Sequence, residues 1–498
     1  MQRKRVGRIL GTVMVSSMAL SLIGCLSKPG NLVTPDREVQ ATQAQPKNPP
    51  NDPITAKKEL VITDLSVVED PVRTKGTGVW TFGTLMTRMA NGRDPEKFVR
   101  DWLTTWTVDQ TVNGDLVKNK KVGMDHVIAL WPKTPDGKLD LTKAPFRLAA
   151  IVNRVDLRRP GNAGEGRFVF HYVEKDNIAV AGAPNSKPGD DRAVFTVIFE
   201  YGISDDMIIR SFQGKTPPKL EQGQNQMAAQ NRMKAVADWA SRWHRLSRMP
   251  YGPGYNVELQ KITDVFSGAN ANPAKPNGSA LNQLRTNEIQ LGLQGAFGPG
   301  GDPTTLPVWE LREFHVMPSG KLENVPMALT PKISLNHTTE LGDYINQNEE
   351  DILKDAHVMP VGMMAGSSLT PGAIGDPFLI WNAPNIAHAN DARFKFAQNT
   401  CSGCHLIETG LDQPRTAQGG PTPFIAFMQV RPRRAGEEAV LSSFMTGADV
   451  TDPATGKIRH LNDVQRRVDD LQTILKFAIT PTMPVTREME APFPTKVH

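Results

Sequence analysis

The sequence predicts an α+β protein: a large body of mixed strands and helices, followed by a small all-helical domain at the C-terminus. Three patterns lead to this prediction. Between residues 193 and 201, apolar residues stand at every second position, as in a strand that buries one face. Between residues 233 and 249 they recur every three or four positions, as in a helix that buries one stripe. A second helical stripe, at residues 461–478, lies in the C-terminal part.

The composition is that of an ordinary globular protein. Of 498 residues, 39% are hydrophobic and 22% are charged, which excludes a collagen-like or wholly disordered chain. No apolar run reaches the roughly 18 residues of a spanning helix, so the sequence does not predict a multi-span membrane protein. The formal net charge is +5, and Arg3, Lys4, Arg5 and Arg8 contribute four of these charges. Without them the chain is nearly neutral, so we expect no nucleic-acid partner.

Residues 1–24 have the order of a secretory signal peptide, with a basic segment followed by an apolar one. The segment runs into Leu22-Ile23-Gly24-Cys25, where an ordinary signal would show an Ala-x-Ala-like site. This Leu-x-Gly-Cys resembles the lipobox of bacterial lipoproteins, in which the chain is cut before a cysteine that carries a diacylglycerol. The resemblance implies lipidation of Cys25 and attachment to a membrane without a spanning helix. The alternative is a plain secretory signal with an incidental cysteine.

Leu26 follows the cysteine, in place of the Asp that retains such lipoproteins at the inner membrane. The resemblance therefore implies a lipid-anchored protein of the cell envelope, at the outer membrane, facing the periplasm or the cell surface. Residues 25–58 carry six prolines and almost no apolar pattern. Such a segment cannot bury enough surface to offset its ordering entropy, so it is predicted to be a flexible tether.

The predicted body covers residues 59–375. Asp94-Pro95 begins a helix with a capping acid and a first-turn proline, and Phe98, Trp102 and Trp106 form its apolar stripe. The remaining elements follow from alternation, helical periodicity or turn residues: strands at 146–155, 167–173 and 193–201, helices at 233–249, 257–266 and 280–291, and a hairpin at 309–329 that turns at Ser319-Gly320. A stretch rich in Gly, Pro and Asn near 267–308 leaves open a division into two subdomains.

No local signature assigns a reaction to this body, because it lacks H-E-x-x-H, G-x-S-x-G and Walker motifs. Several charged residues stand in apolar surroundings, and buried charges are normally paired. We therefore expect buried ion pairs or strand-face positions for this set: Asp156, Glu165, Arg167, Arg285, Glu288, Glu310, Arg312 and His315. His244 is expected at a surface or boundary position, and His337 in a loop.

The residues with distinctive chemistry lie near the C-terminus, in Cys401-Ser402-Gly403-Cys404-His405. This C-x-x-C-H resembles the haem attachment motif of c-type cytochromes. In that family both cysteine sulfurs bond to haem vinyl groups and the histidine ligates the iron. Two thiols three positions apart on one helical turn can reach both vinyl groups. The resemblance implies one covalent haem c, held by Cys401 and Cys404, with His405 as an iron ligand.

The predicted haem domain covers residues 376–498. A short helix at 390–398 leads into the motif, and the helix at 461–478 follows it. These two helices resemble the crossing pair of small cytochrome c domains. The body before them is similar to that of large bacterial envelope lipoproteins of unknown activity with one haem motif, which assigns it no reaction.

The sixth iron ligand is open. The family order, with a distal methionine between the motif and the last helix, favours Met445. Met428 and Met483 are the next candidates, and His460 would give a bis-histidine site. A free distal position is the remaining alternative. It would favour ligand binding or peroxide chemistry over electron transfer.

Two other interpretations of the cysteines stay open. One is a thioredoxin-like redox disulfide, but such a pair normally follows a strand, and none is predicted before Thr400. The other is a zinc site completed by His388 and His405, whose spacing matches no known finger. Export agrees better with haem, because haem is attached to cytochromes c after export.

Three functions follow from a haem here. The first is one-electron transfer by an envelope lipoprotein, with a redox partner protein or a small-molecule electron donor or acceptor. The second is a haem-dependent oxidoreductase or peroxidase-like enzyme whose substrate binds to the body. The third is a haem-containing binding or scaffold protein. A di-haem peroxidase is disfavoured, because the chain contains one C-x-x-C-H.

Overall fold

The fold is known here from a computed structural model. It describes residues 53–173, 191–213, 226–288, 310–369, 380–386, 391–405, 408–409, 428–480 and 482–492. The helices are α1 (Ala56–Glu59), α2 (Leu65–Val68), α3 (Phe82–Ala90), α4 (Pro95–Thr104), α5 (Lys121–Leu130), α6 (Asp205–Gln213), α7 (Gln226–Leu246), α8 (Pro253–Ser267), α9 (Thr339–Gln347), α10 (Glu349–Leu353), α11 (Asp391–Gln398), α12 (Cys401–His405), α13 (Ser443–Thr446), α14 (Asp463–Ile479) and α15 (Arg487–Glu490). The strands are β1 (Val61–Ile62), β2 (Gln110–Val112), β3 (Asp115–Val117), β4 (Phe146–Arg154), β5 (Asn162–Val173), β6 (Asp191–Ser204), β7 (Leu281–Glu288), β8 (Glu310–Val316), β9 (Leu322–Val325), β10 (Ser368–Leu369), β11 (Ala448–Thr451) and β12 (Ile458–Leu461).

A large antiparallel sheet organises the body. Its strands lie in the order β1-β4-β5-β6-β7-β8-β10, and β9 also pairs with β8. Two separate hairpins, β2-β3 and β11-β12, lie outside it. Helices mixed with a large sheet confirm the α+β prediction at this coarse level. None of the described helices has the length and apolar character needed to cross a membrane.

One face of the sheet is aromatic and apolar. Phe168, Phe199, Leu284 and Phe314 stand directly opposite one another across β5, β6, β7 and β8. All four are fully buried. Phe82 of α3 packs onto this row, with its ring centroid 5.4 Å from that of Phe199. The alternation predicted at 193–201 is thus confirmed, since period-2 side chains of β6 form the main core.

The opposite face of the same strands is polar and ionic. Arg167 of β5 stands opposite Glu200 of β6, and their side chains are 3.0 Å apart at the ion pair. Arg285 of β7 bonds to Glu200 at 3.2 Å and to Glu313 at 2.9 Å. The expected burial and pairing of this group are confirmed for Asp156, Glu165, Arg167, Arg285, Glu288, Glu310 and Arg312. His315 also pairs, with Glu313, but its side chain is 41% exposed.

Several predicted elements agree with the structure. Asp94 caps α4 by accepting bonds from Glu96 N and Lys97 N. The predicted hairpin corresponds to β8 and β9, and His337 lies in a loop at φ 60°. The helix predicted at 280–291 is wrong, because residues 281–288 form the central strand β7. Its leucines at positions 281 and 284 have helical spacing, but pairing with β6 and β8 overrides that local preference.

His244 is also misplaced by the sequence prediction. It is 5% exposed, and its Nδ1 lies 2.9 Å from Glu59 Oε2. The reason is that α7 is covered on several sides, by α1, α8 and α14. A histidine near the end of an amphipathic helix therefore becomes part of the interior.

Residues 376–498 show no separate all-helical domain in their described part. They contain the β11-β12 hairpin as well as helices. The buried residues of α14, such as Leu471 and Phe477, belong to the same hydrophobic core as the sheet. Arg158 beside β4 also bonds through both terminal nitrogens to Asp470 of α14, at 2.5 and 2.9 Å. The C-terminal segment is thus joined to the body by apolar packing and by buried ion pairs.

His357 is expected to make the stability of this region depend on pH. It is fully buried between the rings of Tyr344 and Phe396, and no described residue hydrogen-bonds to its nitrogens. Burial lowers its pKa to about 4. The unfolded state therefore binds a proton on this histidine more tightly than the folded state does. The free energy of unfolding falls as pH drops from about 6.5 towards 4. We expect His357→Phe to remove this loss, worth up to about 3 kcal/mol, in urea unfolding series at several pH values. An unchanged pH profile would contradict the assignment.

Candidate functional site

The C-x-x-C-H segment forms the short helix α12 directly after α11. Thr400 starts it, since Thr400 Oγ1 accepts a bond from Gly403 N at 2.9 Å. Thr330 Oγ1 accepts a bond from Cys401 N, also at 2.9 Å. A Cβ at Gly403 would lie 2.1 Å from the carbonyl oxygen of Ala397, so only glycine fits there. The local sequence thus fixes the motif against the preceding helix.

Arg393 of α11 anchors α11 and α12 to the interior of the protein. It is fully buried and donates to Glu408 Oε2 at 2.7 Å, to Asp452 Oδ1 at 2.6 Å and to the carbonyl of Trp381 at 2.9 Å. Trp381 Nε1 in turn donates to Ser402 Oγ inside the motif, at 3.0 Å. Burial raises the pKa of Glu408 to about 7 against the effect of Arg393. The motif is therefore held by a closed network of buried polar groups.

A cavity of about 810 Å³, including its opening, lies between the ionic face of the sheet and the C-terminal segments. Apolar side chains form part of its sheet wall: Val61, Val152, Val169, Ile198 and Leu311. Charged side chains form another part: Arg154, Arg167, Glu200 and Arg285. The cavity therefore combines an apolar wall with buried charged groups.

Several of the predicted haem-binding residues line this cavity. Cys401 and His405 line it from α12, and Met445 lines it from α13. Met428 lines it from the segment just before Val430, which pairs with Leu441. All four residues are buried or nearly so. Cys404 is fully buried beside the cavity lining, and its Sγ accepts a bond from Gln429 Nε2 at 3.4 Å. One imidazole, one thiol and two thioethers thus share one space.

The two methionine sulfurs have different surroundings. Thr196 Oγ1 donates to Met428 Sδ at 3.3 Å, and it also lies 2.8 Å from His171 Nδ1. Met445 Sδ accepts a longer hydrogen bond from Arg467 Nη2, at 3.9 Å. Burial lowers the pKa of His171 to about 3, so this buried imidazole is neutral. The lone pairs of Met445 are less engaged than those of Met428.

The other candidates lie elsewhere or outside the described residues. Met483 packs on the main core and does not line the cavity. His460 of β12 is 80% exposed and pairs with Asp449, so the structure does not bring it to Cys401. Cys25 and His388 fall outside the described residues, as does most of the predicted break at 267–308.

Sequence reasoning missed several residues of the site, among them Arg154, His171, Thr196 and Arg467. Three of them stand on the polar side of alternating strands, and that alternation was the available signal. Arg467 stands outside the apolar stripe of α14, but it is 3% exposed and lines the cavity. The apolar stripe alone could not show this, because α14 is covered by the body on more than its apolar side.

The geometry bears on the redox-disulfide alternative, whereas the zinc alternative also needs His388, which lies outside the described residues. The structure joins Cys401 and Cys404 in no disulfide, and burial raises the pKa of Cys401 to about 11. Redox-active thiols of this motif have lowered pKa values instead. Within the described part of the chain, no group of three His, Cys, Asp or Glu side chains is placed to hold a metal ion.

Comparison with known proteins adds no assignment. No protein-family profile matches the chain, and neither a curated protein nor a solved structure shows a significant match. The function must therefore be argued from the cavity and the motif themselves.

Proposed function

We propose that this chain is a mono-haem c-type cytochrome of the cell envelope that transfers single electrons. One haem c is bound through Cys401 and Cys404, with His405 as an iron ligand. The observation that carries the proposal is that Cys401, His405 and two methionine thioethers line one cavity, although they are up to 44 positions apart in the chain. A chance C-x-x-C-H would not be expected to face a cavity with thioether donors.

The residues around the cavity fit a haem. Its apolar wall of valines, Ile198 and Leu311 suits a flat, largely apolar macrocycle. Imidazole and thioether are the axial ligands typical of cytochromes c. Buried guanidinium groups in the same wall suit the carboxylates at the edge of the group. The lining thus supplies axial donors, an apolar wall, cations for the carboxylates and the thiol of Cys401, with Cys404 beside it.

A bound haem supplies a one-electron couple at this place. The chain's own contribution is to exclude water, because Cys401, Met428 and Met445 are each no more than 5% exposed. Burial and a thioether ligand both favour a raised reduction potential. A redox partner protein, or a small-molecule donor or acceptor, completes the transfer. The lipid on Cys25 would keep the protein at a membrane, with residues 25–58 as its tether.

The distal ligand is the subject of a direct test. We propose Met445, because the hydrogen bond from Thr196 engages the sulfur of Met428. We expect Met445→Ala to lower the reduction potential by about 60 mV or more, which is a tenfold shift in the one-electron equilibrium. Met428→Ala should lower it less. Met483→Ala, outside the cavity, is the matched control, and potentiometric titration is the measurement. A larger effect of Met428→Ala would reverse the assignment.

The proposal itself is tested by covalent haem content. The chain is expressed with c-type maturation machinery and examined by a pyridine haemochrome spectrum and a haem-stained denaturing gel. We expect a c-type α band and one stained band of full-length protein, with one haem per chain. Absence of covalent haem in a host that matures a control cytochrome would refute it.

A second candidate function is a haem-dependent oxidoreductase, and one observation favours it. A second cavity of about 710 Å³ borders the other side of the motif at Ser402. Hydroxyl groups of Thr330, Ser334, Ser367 and Ser368 line it, with Trp381 in its wall. Saturable reduction of the oxidised protein by ascorbate, lost in Ser368→Phe, would support this function. A rate that stays linear in ascorbate concentration would argue against a substrate site there.

A further inference from the structure

Two buried arginines from different parts of the chain face the cavity that Cys401 and His405 line. Arg154 ends β4, and Arg467 lies in the second turn of α14. They are 1% and 3% exposed, and both line the cavity. An arginine is rarely buried unless its guanidinium group is paired. Their partners therefore decide what the site can bind.

Each guanidinium group is only partly paired. Arg154 donates from Nε and Nη2 to both oxygens of Asp156, at 2.9 and 3.0 Å. Arg467 Nη2 pairs with Asp463 Oδ2 at 2.5 Å. Arg154 Nη1, and Arg467 Nε and Nη1, have no hydrogen-bond acceptor among the described residues, although all three atoms are buried. Three N–H-bearing nitrogens therefore lack a partner beside one cavity.

The charges beside these two arginines have a positive excess, which a second ionic group at the cavity offsets: there Arg167 and Arg285 pair with Glu165, Glu200 and Glu313. Salt bridges join Arg154, Asp156, Arg466, Asp463 and Arg467 into one cluster. Arg158 and Asp470 form a further ion pair. Four arginines thus face three aspartates. Burial, and then the nearby Arg467, lower the pKa of Arg154 to about 9. A buried N–H group without an acceptor costs free energy, so a ligand with acceptor oxygens in the cavity would stabilise the fold.

We propose that Arg154 and Arg467 form a carboxylate-binding site inside the cavity. The planar fork of N–H groups on a guanidinium matches a carboxylate, whose oxygens would accept from the three nitrogens that lack a partner among the described residues. Two sources supply this chemistry: an edge carboxylate of the haem, or a small organic acid that enters the cavity. The first source rests on the proposed function, whereas the site itself does not.

The test begins with the full chain produced without haem maturation. Its melting temperature is measured in sodium acetate and in sodium chloride at equal ionic strength. Acetate that binds only the folded chain raises the melting temperature in a concentration-dependent way. We expect this for the wild type and a dissociation constant at least about tenfold weaker for Arg467→Gln and Arg154→Gln. Arg459→Gln is the matched control, because it removes a mostly buried cation that pairs with Asp452 away from the cavity.

The haem-loaded chain then separates the two sources. If a haem carboxylate occupies the site, acetate will affect neither its melting temperature nor its reduction potential. If a small organic acid is the ligand, acetate will shift both in the wild type and neither in Arg467→Gln. Both results support the site and identify the source.

One result overturns the proposal: acetate stabilises the unloaded wild type no more than it stabilises Arg467→Gln. If Arg467→Gln fails to fold, Arg467→Lys keeps the charge but not the fork, and the same comparison applies. Failure of the proposed function is a separate result, because it is seen as absent covalent haem in the matured wild type. The acetate measurement on the unloaded chain stands in either case.

Discussion

Replacing both Cys401 and Cys404 by alanine is expected to abolish covalent haem attachment. No thiol then remains in the motif to bond a vinyl group, while His405 alone would hold haem only as a ligand. The haem-stained band of the denaturing gel should disappear, and the pyridine haemochrome spectrum should lose its c-type α band. The expected loss is complete rather than partial, because Cys25 is the one other cysteine of the chain.

The matched control for this pair is His460→Ala. His460 is 80% exposed and outside the cavity, so that variant should keep one haem per chain. A stained band of wild-type intensity in the double cysteine variant would show that the motif does not attach haem.

Arg393→Ala is expected to have the largest effect on stability. Arg393 is fully buried, and its removal leaves the carboxylates of Glu408 and Asp452 without their shared partner. Breaking a buried pair of this kind costs about 3–5 kcal/mol. We expect a loss of that size in the free energy of unfolding from urea or guanidinium titrations. The motif helix should lose its anchor as well, because Trp381 binds both this network and Ser402.

Lys457→Ala provides the control for this loss. Lys457 pairs with Asp391 in the same region, but its side chain is 58% exposed. Such surface pairs contribute about 0–1 kcal/mol. Equal effects of the two substitutions would show that the buried network does not stabilise the C-terminal segment more than an ordinary surface pair.

The strands of the sheet were predictable where one face is apolar. Phe195, Val197, Phe199 and Tyr201 alternate with smaller or polar residues, and this alternation is a local property of the sequence. Strand β7 was not predictable in this way. Its polar residues, Arg285 and Asn287, face the cavity and are paired or covered only once the neighbouring strands and C-terminal segments are in place. Local spacing therefore suggested a helix.

The candidate site was predictable in its local part only. The C-x-x-C-H motif is contiguous, so the sequence alone names Cys401, Cys404 and His405. The choice among methionines depends on which chain segments close over the sheet, and no periodicity reports that. The same holds for Arg154 and Arg467, which line the same cavity although they are more than 300 positions apart in the chain. Long-range packing decides both.

The burial of the motif also bears on how the protein matures. Cys401 and Cys404 are 3% and 0% exposed, and the cavity walls extend from β1 near one end of the described chain to α14 near the other. An enzyme that attaches haem needs access to both thiols. If haem is attached here, attachment therefore precedes the docking of the C-terminal segment onto the sheet. A chain that folded first would be closed to haem, so haem delivery and folding would compete in time during biogenesis.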